Sequence, residues 1–214
     1  FRVDGGRDAG FPAGFEIGFE NRREPRHGWG MTQHEYVFVA ISIVLGLAIT
    51  RLLNASVSLI RAHRRVAFHW STALWAFCIM LYVLQLWWVG WELRAVSAWG
   101  ITDFFIMIIG AVCVYGAAEL SLPIEDYDIS DDSELDFLAH SQSIGRLSAA
   151  SMMIYFCIGP YVNMTLFNNP RDVSFFLPVV GIVLMLLIVF RPRWFPGLVI
   201  VFAVYTFLIL FLTA

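Results

Sequence analysis

Few residues in this chain are equipped for chemistry, and most of those lie where lipid would not tolerate them. Arg51 interrupts an apolar run about nine residues, or about 13 Å along a helix, before that run ends. A guanidinium at that depth costs at least about 2.5–3.5 kcal/mol on insertion scales. It must therefore face protein, water or a partner. Arg51, Asn54, Ser58, Arg61 and Arg65 recur at steps of three and four residues, which places them on one stripe of one helix. Such a stripe is either a buried polar seam between helices or the wall of a wet crevice that draws a small anionic ligand or ion. Glu119, in Gly116-Ala-Ala-Glu-Leu, is the natural counter-charge. Arg146 opens a later run at the same end, so a cluster of Arg51, Glu119 and Arg146 is expected, as a fold-fixing ion pair or as crevice lining.

A second group is aromatic. Gln85 precedes Trp87, Trp88 and Trp91. Tryptophans at this spacing form either an interfacial belt or the wall of an outer pocket in which Gln85 orients a ligand. His69-Trp70 marks the opposite interface in the same way. Gly159-Pro160 and Pro178 should kink their helices, with neighbours satisfying the freed carbonyls. Gly46 with Thr50, and Gly110 with Cys113, Gly116 and Ala117, offer small-residue faces for close helix contact.

Catalytic chemistry is not visible, and the expectation is a protein that is not an enzyme. There is no HExxH, no Gly-x-Ser-x-Gly and no phosphate loop. All 14 basic residues are arginine, so no amine is present for a Schiff base. The three cysteines, Cys78, Cys113 and Cys157, sit singly in apolar runs, which argues against disulfides and zinc. His34, His63, His69 and His140 fall at or beyond the membrane surface, so an intramembrane bis-histidine haem is not expected. No metal and no cofactor is expected.

The elements that must position these residues follow from hydropathy. The 214 residues are 59% hydrophobic and 14% charged, with a mean hydropathy of +0.71. A soluble domain carries about 25% charge. Disordered chains, nucleic-acid-binding modules and ordinary soluble enzymes are excluded. Six runs reach bilayer length, at about 36–60, 68–91, 101–122, 144–167, 173–190 and 195–213. The expected fold is all-α, a polytopic membrane bundle of about six transmembrane helices, with the lipid bilayer as its first partner.

Arginines cluster at 61–65 and at 191–193, so loops 61–67, 123–143 and 191–194 are expected in the cytoplasm, with Met31 and the C-terminus outside. Arginine without lysine suggests a GC-rich bacterial genome, hence an inner membrane. Residues 123–143 carry seven acids and no base, and could bind a soluble or membrane protein partner. Residues 1–30 balance five arginines against five acids without an apolar core, and read as an upstream extension or a disordered tail ahead of a domain from 31 to 214.

The pattern Glu35-Tyr36, Ile43-Val-Leu-Gly-Leu-Ala-Ile-Thr50, Leu52-Leu53 and Arg61-Ala-His-Arg-Arg-Val66 resembles the opening of a widespread set of uncharacterised bacterial multi-pass membrane proteins. Trp75, Gln85-Leu-Trp-Trp88 and Leu122-Pro123 before an acidic loop continue the likeness to about Asp136. The resemblance implies a membrane bundle of about six spans. It implies no activity and no catalytic residues. The functional expectation is a small transporter-like or channel-like bundle with a polar crevice in its cytoplasmic half. The alternative is a non-catalytic interaction or sensor subunit that uses the acidic loop.

Overall fold

A computed structural model describes residues 32–61, 66–67, 69–96, 99–122, 135–136 and 143–212, all within one compact unit, Met31–Ala214. The expectations for residues 1–30 and for nearly all of the acidic loop lie outside the described residues. Six helices carry the fold: α1 (Gln33–Arg61), α2 (Trp70–Glu92), α3 (Ile101–Glu119), α4 (Gly145–Tyr161), α5 (Arg171–Phe190) and α6 (Phe195–Leu212). Five helical stretches are long and apolar enough to cross a bilayer, while the apolar part of α5, Ser174–Phe190, is shorter. This is a polytopic membrane-helix bundle. Besides the helices, Val66–Ala67 pairs in parallel with Leu135–Asp136, which ties the α1–α2 and α3–α4 connections together at one end.

Local chemistry sets the helix starts. Thr32 and Glu35 form a reciprocal cap on α1: the Thr32 N–H donates to Glu35 Oε2 at 2.7 Å and the Glu35 N–H to Thr32 Oγ1 at 3.2 Å. The His69 ring accepts from the Ser71 N–H to open α2. Asp103 Oδ2 accepts from the Gly100 N–H, 2.8 Å, to open α3. These caps satisfy donors that the helix itself leaves unpaired.

The helices alternate in direction, as their cross-contacts show. His34 reaches the Gly90 carbonyl, so α1 and α2 are antiparallel. Tyr36 meets Phe104 and Arg51 meets Glu119, so α1 and α3 run parallel. Trp75 packs on Phe195 and Tyr82 on Phe202, so α2 and α6 are parallel. On α1 the buried side is Val37, Ile41, Leu45, Ala48, Leu52 and Ala55, a stripe at steps of three and four. The centre is aromatic: Trp75, Tyr82, Phe156, Phe202 and Tyr205 stack or meet edge-on with centroids 5.0–6.4 Å apart.

One polar node sits in this apolar interior. Ser148, fully buried, accepts from Trp75 Nε1 at 3.0 Å and donates to the Ala117 carbonyl at 2.8 Å, joining α2, α3 and α4. Nearby, Ser151 donates to the Cys113 carbonyl, and a Cβ on Gly116 would lie 2.9 Å from Ser151 Oγ. The small residues of α3 thus let α4 come close. Gly46 does not work this way: nothing lies within 4 Å of its Cβ position, and Thr50 is exposed, donating only to its own helix at Gly46. Among the described residues, nothing packs on that small-residue face at Gly46.

Candidate functional site

Alternation divides the polar residues between two ends of the bundle. At the end shared by the C-termini of α1 and α3, Arg51 Nε lies 2.9 Å from Glu119 Oε2. The side chains are 21% and 34% exposed. The contact is electrostatic rather than a directed hydrogen bond: Arg51 Nε and Nη2 are both buried without a hydrogen-bond partner. Arg146 is at the same end but does not join the pair. Its Nε donates instead to the Val189 carbonyl at 2.9 Å, one residue before α5 ends. A cation there meets carbonyls that the last helical turn leaves unpaired and the negative end of the helix dipole. The expected three-membered cluster is therefore a pair, because α4 turns Arg146 toward α5 and away from α1. Asn54 is exposed and Ser58 partly so, both beside the buried stripe of α1.

At the opposite end, α4 departs from regular geometry. Pro160 lies inside the helix and removes the N–H that would bond the Phe156 carbonyl. Beyond it, Val162–Leu166 forms a π turn that closes with the Phe167 N–H on the Val162 carbonyl, 3.2 Å. Pro178 of α5 sits against this bend; a Cβ on Gly159 would lie 3.2 Å from its ring. The wider π turn carries Val162 and Asn163 onto the wall of a cavity, as single π turns often do at functional sites.

The cavity measures about 130 Å³ and is formed by α2, α3, α4, α5 and α6. Its walls are mostly apolar: Leu86, Val89, Met107, Gly110, Phe156, Leu177, Pro178 and Ile209. Polar groups come from Tyr82, Gln85, Tyr155, Asn163 and Tyr205. Tyr205 donates to the Leu177 carbonyl at 2.7 Å. The Tyr82 hydroxyl has no partner in hydrogen-bond geometry, although the residue is only 1% exposed. Thr206 lies beside it: its hydroxyl donates to the Phe202 carbonyl and keeps lone pairs on Oγ1 that can accept the Tyr82 O–H. With Thr206 beside it, the Tyr82 hydroxyl can exchange that neighbour for an acceptor or donor bound in the cavity.

The structure also separates the residues expected around Gln85. Gln85 faces the cavity in step with Tyr82, Leu86 and Val89, one face of α2. Trp87, Trp88 and Trp91 are exposed and lie outside it. Trp88 Nε1 donates to Glu92 Oε1 at 2.8 Å, and Arg94 stacks over Trp91 at 4.4 Å. Sequence reasoning passed over Tyr82, Tyr155, Tyr205, Asn163 and Ser148. It also passed over the 2.6 Å bond from the Tyr161 hydroxyl to Asp103, which fastens α4 to the start of α3. Among the described residues, no three of His, Cys, Asp and Glu come together as a metal site would require.

No family model, no curated protein and no solved structure matches the chain. What it is therefore rests on its own geometry: a multi-pass membrane-helix bundle with an ion pair at one end and a cavity at the other.

Proposed function

We propose that this chain is a small transporter-like bundle whose cavity takes a largely apolar molecule carrying one hydrogen-bonding group. The observation that carries this reading is the cavity itself, apolar walls on which Tyr82, Gln85, Asn163 and Tyr205 converge. The volume suits about one aromatic ring or a short branched chain. Mostly apolar walls with a few convergent polar groups are what small-molecule sites in bundles look like. At the other end, Arg51 and Glu119 bridge α1 and α3, where a carrier needs a closure. In this reading Arg51 and Ser58 line the far half of the path, and Arg51→Leu stops transport while leaving folded protein in the membrane.

The test pairs two probes of similar size, toluene and benzyl alcohol, in thermal unfolding of detergent-solubilised protein. Both should raise the melting temperature, benzyl alcohol more than toluene. Tyr82→Phe should remove that difference, and Val89→Phe, which fills the cavity, should remove both shifts. No shift with either probe, or an undiminished preference in Tyr82→Phe, refutes the site. Native mass spectrometry of the extracted chain would then identify the resident molecule for uptake assays in vesicles.

The second reading, an interaction or sensor subunit, draws on the outward face of α1. Gly46, Thr50 and Asn54 follow one another there at four-residue steps, with Thr50 and Asn54 exposed. A second protein at fixed stoichiometry in native mass spectrometry, released by deletion of residues 125–136, would favour it over the carrier.

A further inference from the structure

A second cleft lies where α1 begins and α2 ends, beside the exposed tryptophans. It measures about 530 Å³ and is lined by the first residues of α1, by Trp91, and by Arg94 and Trp99 of the α2–α3 connection. Three features distinguish it from an ordinary aromatic belt. First, the Arg94 guanidinium is held 4.4 Å over the Trp91 ring, is exposed, and makes no ion pair among the described residues. Glu35, the nearest acid in the lining, is engaged in the cap with Thr32. Second, Trp99 Nε1 is buried with no acceptor, although the Trp99 backbone N–H has one in Gln33 Oε1 at 3.3 Å. Third, His34 is fixed. Its Nε2 lies 2.9 Å from the Gly90 carbonyl, an acceptor only, so Nε2 carries the proton, and its ring stacks on Phe38 and tilts against Trp99.

Two donors without acceptors, one of them cationic, thus line a single cleft. The dipole of the 29-residue helix that starts in this cleft is already met by Glu35, so the two donors are what the cleft leaves open. Both groups ask for an anionic oxygen ligand. Around them are the bilayer-facing side chains Tyr36, Trp87, Trp88 and Ile101, all exposed, at the level where the apolar stretches of α1, α2 and α3 end. That is the depth of phospholipid headgroups. We propose that this cleft binds the phosphate of a phospholipid headgroup, with Arg94 as the charged contact and the Trp99 indole N–H as the directional one. The acyl chains would lie along the outward faces of α1 and α3. The site is separate from the five-helix cavity and stands or falls without it.

The experiment uses the full chain, delipidated in detergent and titrated by native mass spectrometry. The probes are a phosphatidylglycerol, the matched diacylglycerol without phosphate, and inorganic phosphate. One phosphatidylglycerol per chain should bind at least about tenfold more tightly than the diacylglycerol, since a hydrogen bond to a charged group is worth about that much. Arg94→Gln should remove that preference, and Trp99→Phe should weaken it several-fold. Arg94 is exposed, so its replacement should leave the fold intact, which circular dichroism would verify. Equal binding of diacylglycerol, or an unchanged preference in both variants, overturns the proposal. Inorganic phosphate binding as tightly as the lipid also overturns it, in favour of a soluble anion.

Discussion

Glu119→Gln is the most informative single change at the ion pair. The substitution keeps the shape of the side chain and removes its charge. It leaves the Arg51 guanidinium without a counter-ion, and Nε and Nη2 are already buried without hydrogen bonds. Two unit charges about 4 Å apart attract by about 4 kcal/mol at an effective dielectric of 20. That gross figure must be discounted, because the side chains are 21% and 34% exposed and water screens them. Fully buried pairs lose about 3–5 kcal/mol when one partner goes, and exposed pairs about 0.2–1. This pair lies between, so Glu119→Gln should cost about 1–2 kcal/mol. In a chain of this size that lowers the melting temperature by about 2–8 °C. Arg51→Met should cost less, because the carboxylate it strands is the more exposed partner. The double variant Arg51→Met/Glu119→Gln should recover most of the loss, since no charge is then left unpaired. Thermal unfolding in a nonionic detergent, followed by far-UV circular dichroism, measures all four proteins. Costs that simply add in the double variant would refute the coupling, and a neutral Glu119→Gln would show that the pair contributes nothing to holding α1 on α3.

Two further predictions concern the interior. Ser148→Ala strands the fully buried Trp75 Nε1 donor and should cost about 1–2 kcal/mol, whereas in a Trp75→Phe background the same change should cost less; equal costs in the two backgrounds would deny the coupling. Gly181→Ala would put a methyl 2.8 Å from the Tyr205 hydroxyl and 2.9 Å from the Phe156 ring, so it should destabilise by about 1–3 kcal/mol and change benzyl alcohol binding; a neutral result on both would mean that the α5–α6 contact gives way freely.

The helices were legible because lipid imposes a length and a composition on anything that crosses it. The six apolar runs and the six helices differ at their ends by at most three residues, once the π turn that continues α4 to Leu166 is counted with it. The break in helical hydrogen bonding at Pro160 was legible too, since proline lacks the N–H. The π turn after it was not. Proline marks where the ladder is interrupted but not which wider hydrogen bond replaces it. Arg51 and Glu119 stood out as charges in apolar surroundings, and the structure sets them 2.9 Å apart. Arg146 stood out equally, yet which flank of α4 it occupies is a matter of helix rotation, and that flank faces the end of α5. The cavity residues were hidden for the opposite reason. A tyrosine in an apolar run looks like any other large core residue, and only the surroundings reveal that Tyr205 has a carbonyl to bond while Tyr82 has none.

The bundle's direction rule explains why these two kinds of residue ended up apart. In an up-and-down chain, the late residues of α1 and α3 share a level with the early residues of α2, α4 and α6. At that level Arg51 faces Glu119, and Ser148 takes the Trp75 indole N–H while donating to the Ala117 carbonyl. At the other level the chain places three tyrosines, a glutamine and an asparagine around the cavity, and sets a proline inside each of two helices there. A purely structural interior would have closed that space with aliphatic side chains, as the buried face of α1 does with leucine, isoleucine, valine and alanine. Tyr82 has only the Thr206 hydroxyl beside it there, so its own hydroxyl contributes little to the fold. Tyr82→Phe should therefore leave the ligand-free protein as stable as before, or more stable by about 1 kcal/mol, while it loses the benzyl alcohol preference. A variant that is both less stable and unchanged in binding would place Tyr82 among the packing residues, and the cavity would lose its claim to be the site.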